Sequence, residues 1–489
     1  MRPRQAGIWK HRASYVFLAL AGSFAHAFLA LPLYSVLDRF LACVLLWIAL
    51  FVVQQFIAAA RPEPPTMTLV SSQFYVMYGL PQFTQESILL IHGPFTPSGK
   101  SITQAMLLAT VASASLWFAH EVTRGYLSSR PGGLFDRMFP APLLSWRRPT
   151  ILYAVLCTGV LLWQLGAPDA IPLELRNIVA KVFNPSLALV LLLLMGYRFR
   201  DSSCRNVALV MIGVLCVTGL IWGALLAIVV PIYLYFMAKW LWAGQLHVRW
   251  VTIGVLVFLL LNPVKALYRE AAREAPPVRS LSEAMSRLNL WREALYDTYS
   301  DPLGARKSVE SSSSRTSGLL DLGQVIDWTP DHVPYQYGKG FSTALLFWVP
   351  RVVWSDKPTI SELVNNRYAV EFQITSVEGT TSSTFGMRQP ADGYWDFGFA
   401  GGIVYPVLFG IIIAMLSPHR KESTFLLISL LFSAEFFQTL DNLQYVVASV
   451  LTLLAGSLIA MKAIALAAGS TSKRARRGAG AASLQRGKP

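Results

Sequence analysis

The sequence predicts an all-α polytopic membrane protein, and three observations carry that reading. Only 14% of its 489 residues are charged while 54% are hydrophobic, against about 25% charged in a soluble chain. Apolar runs of roughly 17–24 residues, long enough to cross a hydrocarbon core, recur along it. Both ends are basic: Arg2, Arg4, Lys10 and Arg12 open the chain, Lys473, Arg474, Arg476, Arg477, Arg486 and Lys488 close it, and no acid stands among either set. The net charge of +15 is then topological, because Lys and Arg hold loops on the cytoplasmic side. No nucleic-acid partner is expected.

In chain order, apolar stretches fall at residues 14–34, 39–60, 103–126, 150–167, 182–197, 206–221, 222–242, 249–266, 400–417, 423–440 and 443–466. Eleven crossings cannot leave two basic ends on one side. Counting back from the tail, the connectors bearing Arg420–Lys421, Arg198/Arg200/Arg205 and Arg130/Arg137/Arg147/Arg148 all fall inside, so the discrepancy lies before residue 103. Thr66 to Phe83, mostly apolar, uncharged and broken by Pro81, supplies a twelfth crossing. Ala25-His26-Ala27 imitates a signal-peptidase site, but apolar sequence continues through Leu33, which favours an uncleaved first span. The expected organisation is a transmembrane bundle over 1–266, an outward-facing interval over 267–399 (periplasmic in a Gram-negative cell), further transmembrane helices over 400–466 and a basic cytoplasmic tail over 467–489.

The long polar interval is where chemistry is expected. Ser280 and Glu283 have capping-box spacing, and Leu281, Met285, Leu288, Trp291 and Leu295 mark one face of a surface helix that stops near Asp301-Pro302. Ser311 to Ser314 read as loop, and Phe341 to Val349 as an interfacial or re-entrant helix too short to span. Outward cations gather here: Arg176 and Lys181 at a span mouth, Arg279, Arg287 and Arg292 on the surface helix, then Arg351, Lys357, Arg367 and Arg388. Arginine forks grip a pyrophosphate well; the alternative is ion pairing with Glu283, Glu293, Asp356 and Glu371. Glu435, with Gln438 one turn on, lies in the outer half of an apolar span, where an ionisable group lines a cavity or bonds a neighbouring helix. His26 is a weaker case of that kind, and His332 beside Asp331 reads as a solvated loop histidine.

Other signals fall away. Gly93 to Ser101 imitates a phosphate-binding loop, but five residues separate Gly93 from Gly99 where four are needed, and Pro94 and Pro97 lack N–H groups. Four scattered cysteines and the lack of HExxH, CxxC or spaced acidic clusters point to no disulfide framework, no metal and no cofactor.

Residues 335–402 resemble the signature region of Wzy-type oligosaccharide repeat-unit polymerases, related to O-antigen polymerase. The resemblance rests on Tyr337-Gly338, then Pro350-Arg351, Trp354-Ser355-Asp356-Lys357-Pro358, and the block Asp392-Gly393-Tyr394-Trp395-Asp396-Phe397-Gly398 with Gly401-Gly402. That family often carries Glu where Asp392 stands and Asn where Asp396 stands. Many relatives open a central span with Arg-Gly, where this chain reads Gly219-Leu220-Ile221-Trp222-Gly223.

The resemblance implies a GT-C-like glycosyltransferase of a bacterial inner membrane, joining oligosaccharide units carried on undecaprenyl pyrophosphate to a growing lipid-linked glycan. A chain-length regulator in the same membrane is an expected partner. Arg351, Arg388 and Arg279 are the expected leaving-group cations, with Lys357, Arg292, Arg176 and Lys181 in reserve. Trp354, Tyr394, Trp395 and Tyr337 would offer faces to sugar rings. Asp392 is the expected base, with Asp396 and Glu435 as rivals; alternatively both aspartates cap the helix beginning near Gly398 or Ala400. A lipid-linked-glycan ligase shares this architecture. A flippase or transporter would show paired repeats and charges near the midplane, whereas these charges gather at one face.

Overall fold

The computed structural model describes residues 5–31, 34–58, 64–83, 97–128, 144–166, 179, 182–243, 248–275, 278, 280–300, 318–339, 354, 367–373, 387–417, 430–433 and 443–485. No strand occurs among them. The helices are α1 (Gln5–Leu29), α2 (Val36–Ala58), α3 (Thr66–Phe74), α4 (Gly99–Ser128), α5 (Arg147–Gly166), α6 (Pro185–Arg198), α7 (Ser202–Ile221), α8 (Leu225–Ala243), α9 (Val248–Glu274), α10 (Leu281–Ser300), α11 (Gly318–Trp328), α12 (Arg367–Glu371), α13 (Gln389–Leu416) and α14 (Leu443–Gln485).

Among the described residues, six stretches are long and apolar enough to cross a membrane: Val36–Phe56, Gly99–Leu127, Ser202–Ile221, Leu225–Ala243, Gln389–Leu416 and Val450–Gly469. Three more, Tyr15–Leu29, Pro185–Arg198 and Leu256–Lys265, are apolar but shorter. Thr66 to Phe83 is not among the six: α3 widens into a π-helical turn at Tyr75–Gly79 and tightens into a 3-10 turn at Leu80–Phe83, where Pro81 lacks the N–H that would continue the ladder. Most of 423–440 lies outside the described residues.

The boundaries read from the sequence at 266 and 466 fall within α9 and α14, and that at 399 falls just past a break in α13. The chain groups into two compact units assembled from distant segments. The first comprises Met1–Ser129, Tyr299–Ser417 and Phe436–Val450; the second comprises Arg130–Thr298, Pro418–Glu435 and Leu451–Pro489.

In the first unit α4 and α13 form the most extensive helix pair. They approach so closely that a Cβ on Gly410 would stand 2.4 Å from the Leu116 carbonyl oxygen, the small-residue contact that lets membrane helices pack backbone to backbone. Ser98 caps α4 by accepting from the Ser101 N–H at 3.2 Å, and the Ser98 and Ser101 hydroxyls both donate to Asp327 at the end of α11. The described end of the phosphate-loop imitation, residues 97–101, is therefore a capped helix start holding one of the chain's own carboxylates. His26 is fully buried between Gln82 Oε1 at 3.1 Å and the Tyr75 hydroxyl at 3.0 Å, a satisfied core histidine.

In the second unit α6 is buried on every side, with Asn184 accepting from the Leu187 N–H and Pro185 at its first position. Asp201 caps α7 and pairs with Arg147 at 2.7 Å. α10 begins as its capping spacing requires, the Glu283 N–H donating to Ser280 Oγ at 3.2 Å. Its buried face is rotated from the expected one: Trp291, Ala294 and Thr298 face inward while Met285 and Leu295 are exposed. Trp291 sets the rotation, since its ring stacks on Tyr268 with centroids 4.4 Å apart and its indole N–H donates to the Leu220 carbonyl at 2.7 Å. Trp291→Ala is expected to cost about 3–5 kcal/mol, read as a lowered thermal midpoint of the purified protein in detergent.

Candidate functional site

The block from Asp392 to Gly402 forms a sharp reversal inside α13. The helix is broken at Phe397 (φ −142°, ψ 24°) and Gly398 (φ 62°, ψ −149°), the latter a conformation essentially confined to glycine. A Cβ on Gly393 would lie 2.2 Å from the Gly401 carbonyl oxygen, and one on Gly401 would lie 2.0 Å from that of Gly393. Residues eight apart in an unbroken helix are about 12 Å apart along the axis. The two halves, 389–396 and 399–416, therefore double back and cross at this glycine pair. The close approach that Gly393 permits is to the chain's own backbone.

The reversal decides where the carboxylates go. Asp392 and Asp396, one turn apart on the first half, are both buried. Asp396 accepts from the Gly338 N–H at 3.1 Å and from the Tyr405 hydroxyl of the second half, and the charge of Asp392 also bears on Tyr405. In place of the expected cap on the second half, Asp396 ties both halves to a strap over residues 333–339. Asp392 occupies the first turn of the first half, where the helix dipole favours a carboxylate.

The strap is held by backbone. The Gln336 N–H donates to Trp395 O at 3.0 Å, the Tyr337 N–H to Asp396 O at 3.2 Å, and the Trp395 indole N–H to Pro334 O at 3.2 Å. To reach these partners Tyr337 and Gly338 take φ of 50° and 79°, strained for the tyrosine. That turn leaves Tyr337 73% exposed. Tyr405→Phe is expected to remove one bond to a buried carboxylate, lowering stability by about 1.5–3 kcal/mol, with a matching rise in proteolysis at the strap as the check.

Behind the reversal lies a buried polar layer that the sequence reading missed. Tyr78, Tyr368 and Gln389 are each at least 98% buried, and among the described residues no hydrogen bond reaches either tyrosine hydroxyl or the Gln389 amide. Arg388 and Asp321 both act electrostatically on the two tyrosines. Burial, reinforced by the Asp321 charge, pushes the Tyr368 hydroxyl well above its ordinary value, so it remains a neutral donor. Nothing in residue spacing brings positions 78, 321, 368 and 388 together; only the tertiary fold does.

A family model described as a domain of unknown function, DUF8712, matches residues 186–467, more than half of the chain. The chain belongs to the DUF8712 family. No curated protein and no solved structure matches it. The DUF8712 region holds the reversal, the strap and the Gly338 and Tyr405 partners of Asp396, while Tyr78 is contributed from before it.

Of the expected site residues within the DUF8712 region, Asp392, Asp396, Arg388, Tyr394, Trp395 and Tyr337 stand together in the first unit, Arg388 immediately before α13. Arg292 is exposed on α10 in the second unit. Trp354 is 37% exposed. Arg279, Arg351, Lys357 and Glu435 lie outside the described residues, as do Arg176 and Lys181 before the region.

Two sugar-stacking expectations need correction. The Trp395 ring is buried against Phe372 at 5.2 Å and Tyr368 at 6.4 Å, with Arg367 on it at 5.6 Å. Tyr394 is buried against Tyr335 and Phe399. Both rings are spent on internal packing, which leaves Tyr337 and Trp354 as the exposed members of the four expected aromatics. Arg367 pairs with Glu371 at 3.5 Å, the ion-pairing alternative for that cation. Where the resemblance expects Arg-Gly in a central span, the Arg269 guanidinium reaches the Gly223 carbonyl at 3.2 Å, so a cation comes to that glycine from α9.

Proposed function

We propose that the chain is a membrane-embedded glycosyltransferase of GT-C type, polymerising oligosaccharide units carried on undecaprenyl pyrophosphate at the outer face of a bacterial inner membrane. Its twelve crossings and cytoplasmic termini follow the charge pattern of the sequence. One observation carries the reading: Arg388 and Asp392 stand one helical turn apart, joined by the Asp392 N–H to Arg388 O bond at 2.9 Å, at the start of the folded-back first half of α13, whose second half runs on as an apolar helix to Leu416. On this reading a cation and a carboxylate one turn apart supply what a lipid-borne phosphate and a sugar hydroxyl would need.

In the proposed step the acceptor hydroxyl oxygen attacks the anomeric carbon of the donor sugar and its proton passes to Asp392. The bond from the anomeric carbon to the phosphate oxygen breaks, and the departing lipid pyrophosphate carries the electron pair and is stabilised by Arg388. Asp396, engaged with Gly338 and Tyr405, holds the geometry. Tyr337, exposed on the strap, offers a ring face to a sugar. Reconstitution with a lipid-linked repeat unit tests this: a ladder of lengthened lipid-linked products is expected. Transfer of glycan to a second acceptor would instead make the protein a ligase, and translocation without bond formation a flippase.

A further inference from the structure

A groove of 860 Å³ runs along α2 in the first unit, walled also by α1 and α4. On α2 its lining reaches from Arg39, in the first turn of a stretch able to cross a membrane, to Phe51. Those two residues are about 18 Å apart along a helix. One leaflet takes up half of a hydrocarbon core about 30 Å thick, so the groove runs from headgroup depth to near the midplane. Phe40, Trp47 and Phe51 are exposed along it, and on a membrane span that exposure is to lipid.

The wall is apolar because its polar atoms bond to one another. The Trp47 indole N–H donates to Ser23 Oγ at 3.1 Å, and the Cys43 thiol to Ser23 O at 3.8 Å. Trp117 meets Phe51 edge-on at 5.5 Å, closing the deep end, and sends its N–H to Gln55. Arg39 is the one charged residue among the described lining. Its Nη1 and Nη2 donate to the Ala27 and Leu31 carbonyls at 3.0 and 3.2 Å, which anchors the guanidinium at the end of α1. Those bonds engage two of the five N–H donors an arginine carries. Among the described residues no carboxylate pairs with this cation. The neighbouring Asp38 is buried and accepts from the Ser35 N–H and hydroxyl instead.

We propose that this groove holds an acyl chain of an anionic glycerophospholipid whose phosphate diester sits on Arg39. Guanidinium N–H groups beyond the two already engaged make charge-assisted bonds to the phosphate oxygens. A lining that carries one positive charge and no carboxylate selects a headgroup of net negative charge, such as phosphatidylglycerol. The ammonium of a zwitterionic headgroup meets no opposite charge there. Lipid tails are already out of water, so selectivity comes from the headgroup and the tail adds packing contacts alone. This site is independent of the glycosyltransferase reading.

The test is lipid retention by the purified full chain in detergent, read by native mass spectrometry after mixing with equimolar phosphatidylglycerol and phosphatidylcholine of the same acyl chains. A preference of at least about five-fold for phosphatidylglycerol is expected, about the 1 kcal/mol that one cation contributes beside an anionic headgroup. It should fall to near none in Arg39→Gln. Arg39 also anchors the end of α1, so a second variant leaves it in place. Ala114, exposed on α4 and part of the lining, becomes a groove filler in Ala114→Phe, which should lose most of the retained phosphatidylglycerol. Equal retention of the two lipids by the parent overturns the proposal. So does an undiminished preference in Arg39→Gln, or undiminished phosphatidylglycerol in Ala114→Phe. Displacement of phosphatidylglycerol by an equimolar polyprenyl phosphate would give the groove to another lipid and overturn it too.

Discussion

Gly401→Ala is expected to abolish the folded form of the first unit. Its added methyl would sit 2.0 Å from the Gly393 carbonyl oxygen, and the obstacle is backbone, with no side chain to swing aside. Overpacking a core methylene costs about 1–3 kcal/mol where side chains can shift. Here the two halves of α13 must separate, which also breaks the Asp396 contacts to Gly338 and Tyr405. The cost is expected to exceed about 3 kcal/mol, a large fraction of a stability of about 5–15 kcal/mol. The measurement is monodisperse yield and thermal midpoint in detergent. Gly469→Ala, in α14 with nothing within 4 Å of where its Cβ would lie, serves as the control and should leave both unchanged.

Asp392→Asn carries the largest expected effect on activity. Asparagine keeps the size and helix-start compatibility of aspartate but cannot take a proton, so polymerisation is expected to fall by about 10²–10⁴-fold with the thermal midpoint nearly unmoved. Asp396→Asn should behave in the opposite sense. It weakens the bonds to Gly338 and Tyr405 and lowers the midpoint, and activity falls only as far as the fold is lost. Full polymerisation by Asp392→Asn across the pH range would reduce Asp392 to a favourable charge at a helix start and remove the base from the proposed reaction.

The helical membrane class was legible because hydropathy and chain length are properties of single segments. So was α10, whose Ser280–Glu283 spacing and stop near Asp301 are local signals, although its rotation was not, because Tyr268 and Leu220 set it from elsewhere. The Asp392–Gly402 block stood out as compact and glycine-rich, yet its reversal did not. Asp-Gly-Tyr-Trp-Asp reads equally as a loop leading into a helix, and only the Gly393–Gly401 contact shows the first half folded back. Trp395 looked like an open stacking face because tryptophan in a polar interval commonly is one; its burial depends on Phe372 and Tyr368, 23 and 27 residues upstream. Tyr78, Asp321 and Tyr368 were illegible as a group, since no periodicity links them.

The doubled-back α13 also fixes how this stretch tolerates changes in length. Each residue of helix turns the chain by about 100°, so one amino acid added between Gly398 and Tyr405 would swing the Tyr405 hydroxyl away from Asp396. One removed between Gly393 and Phe397 would carry Asp396 off the strap and misalign the glycine crossing. Loops elsewhere in the chain can lengthen or shorten at little cost. Here the residue count itself is under constraint, and related chains should vary this block by substitution while conserving its spacing.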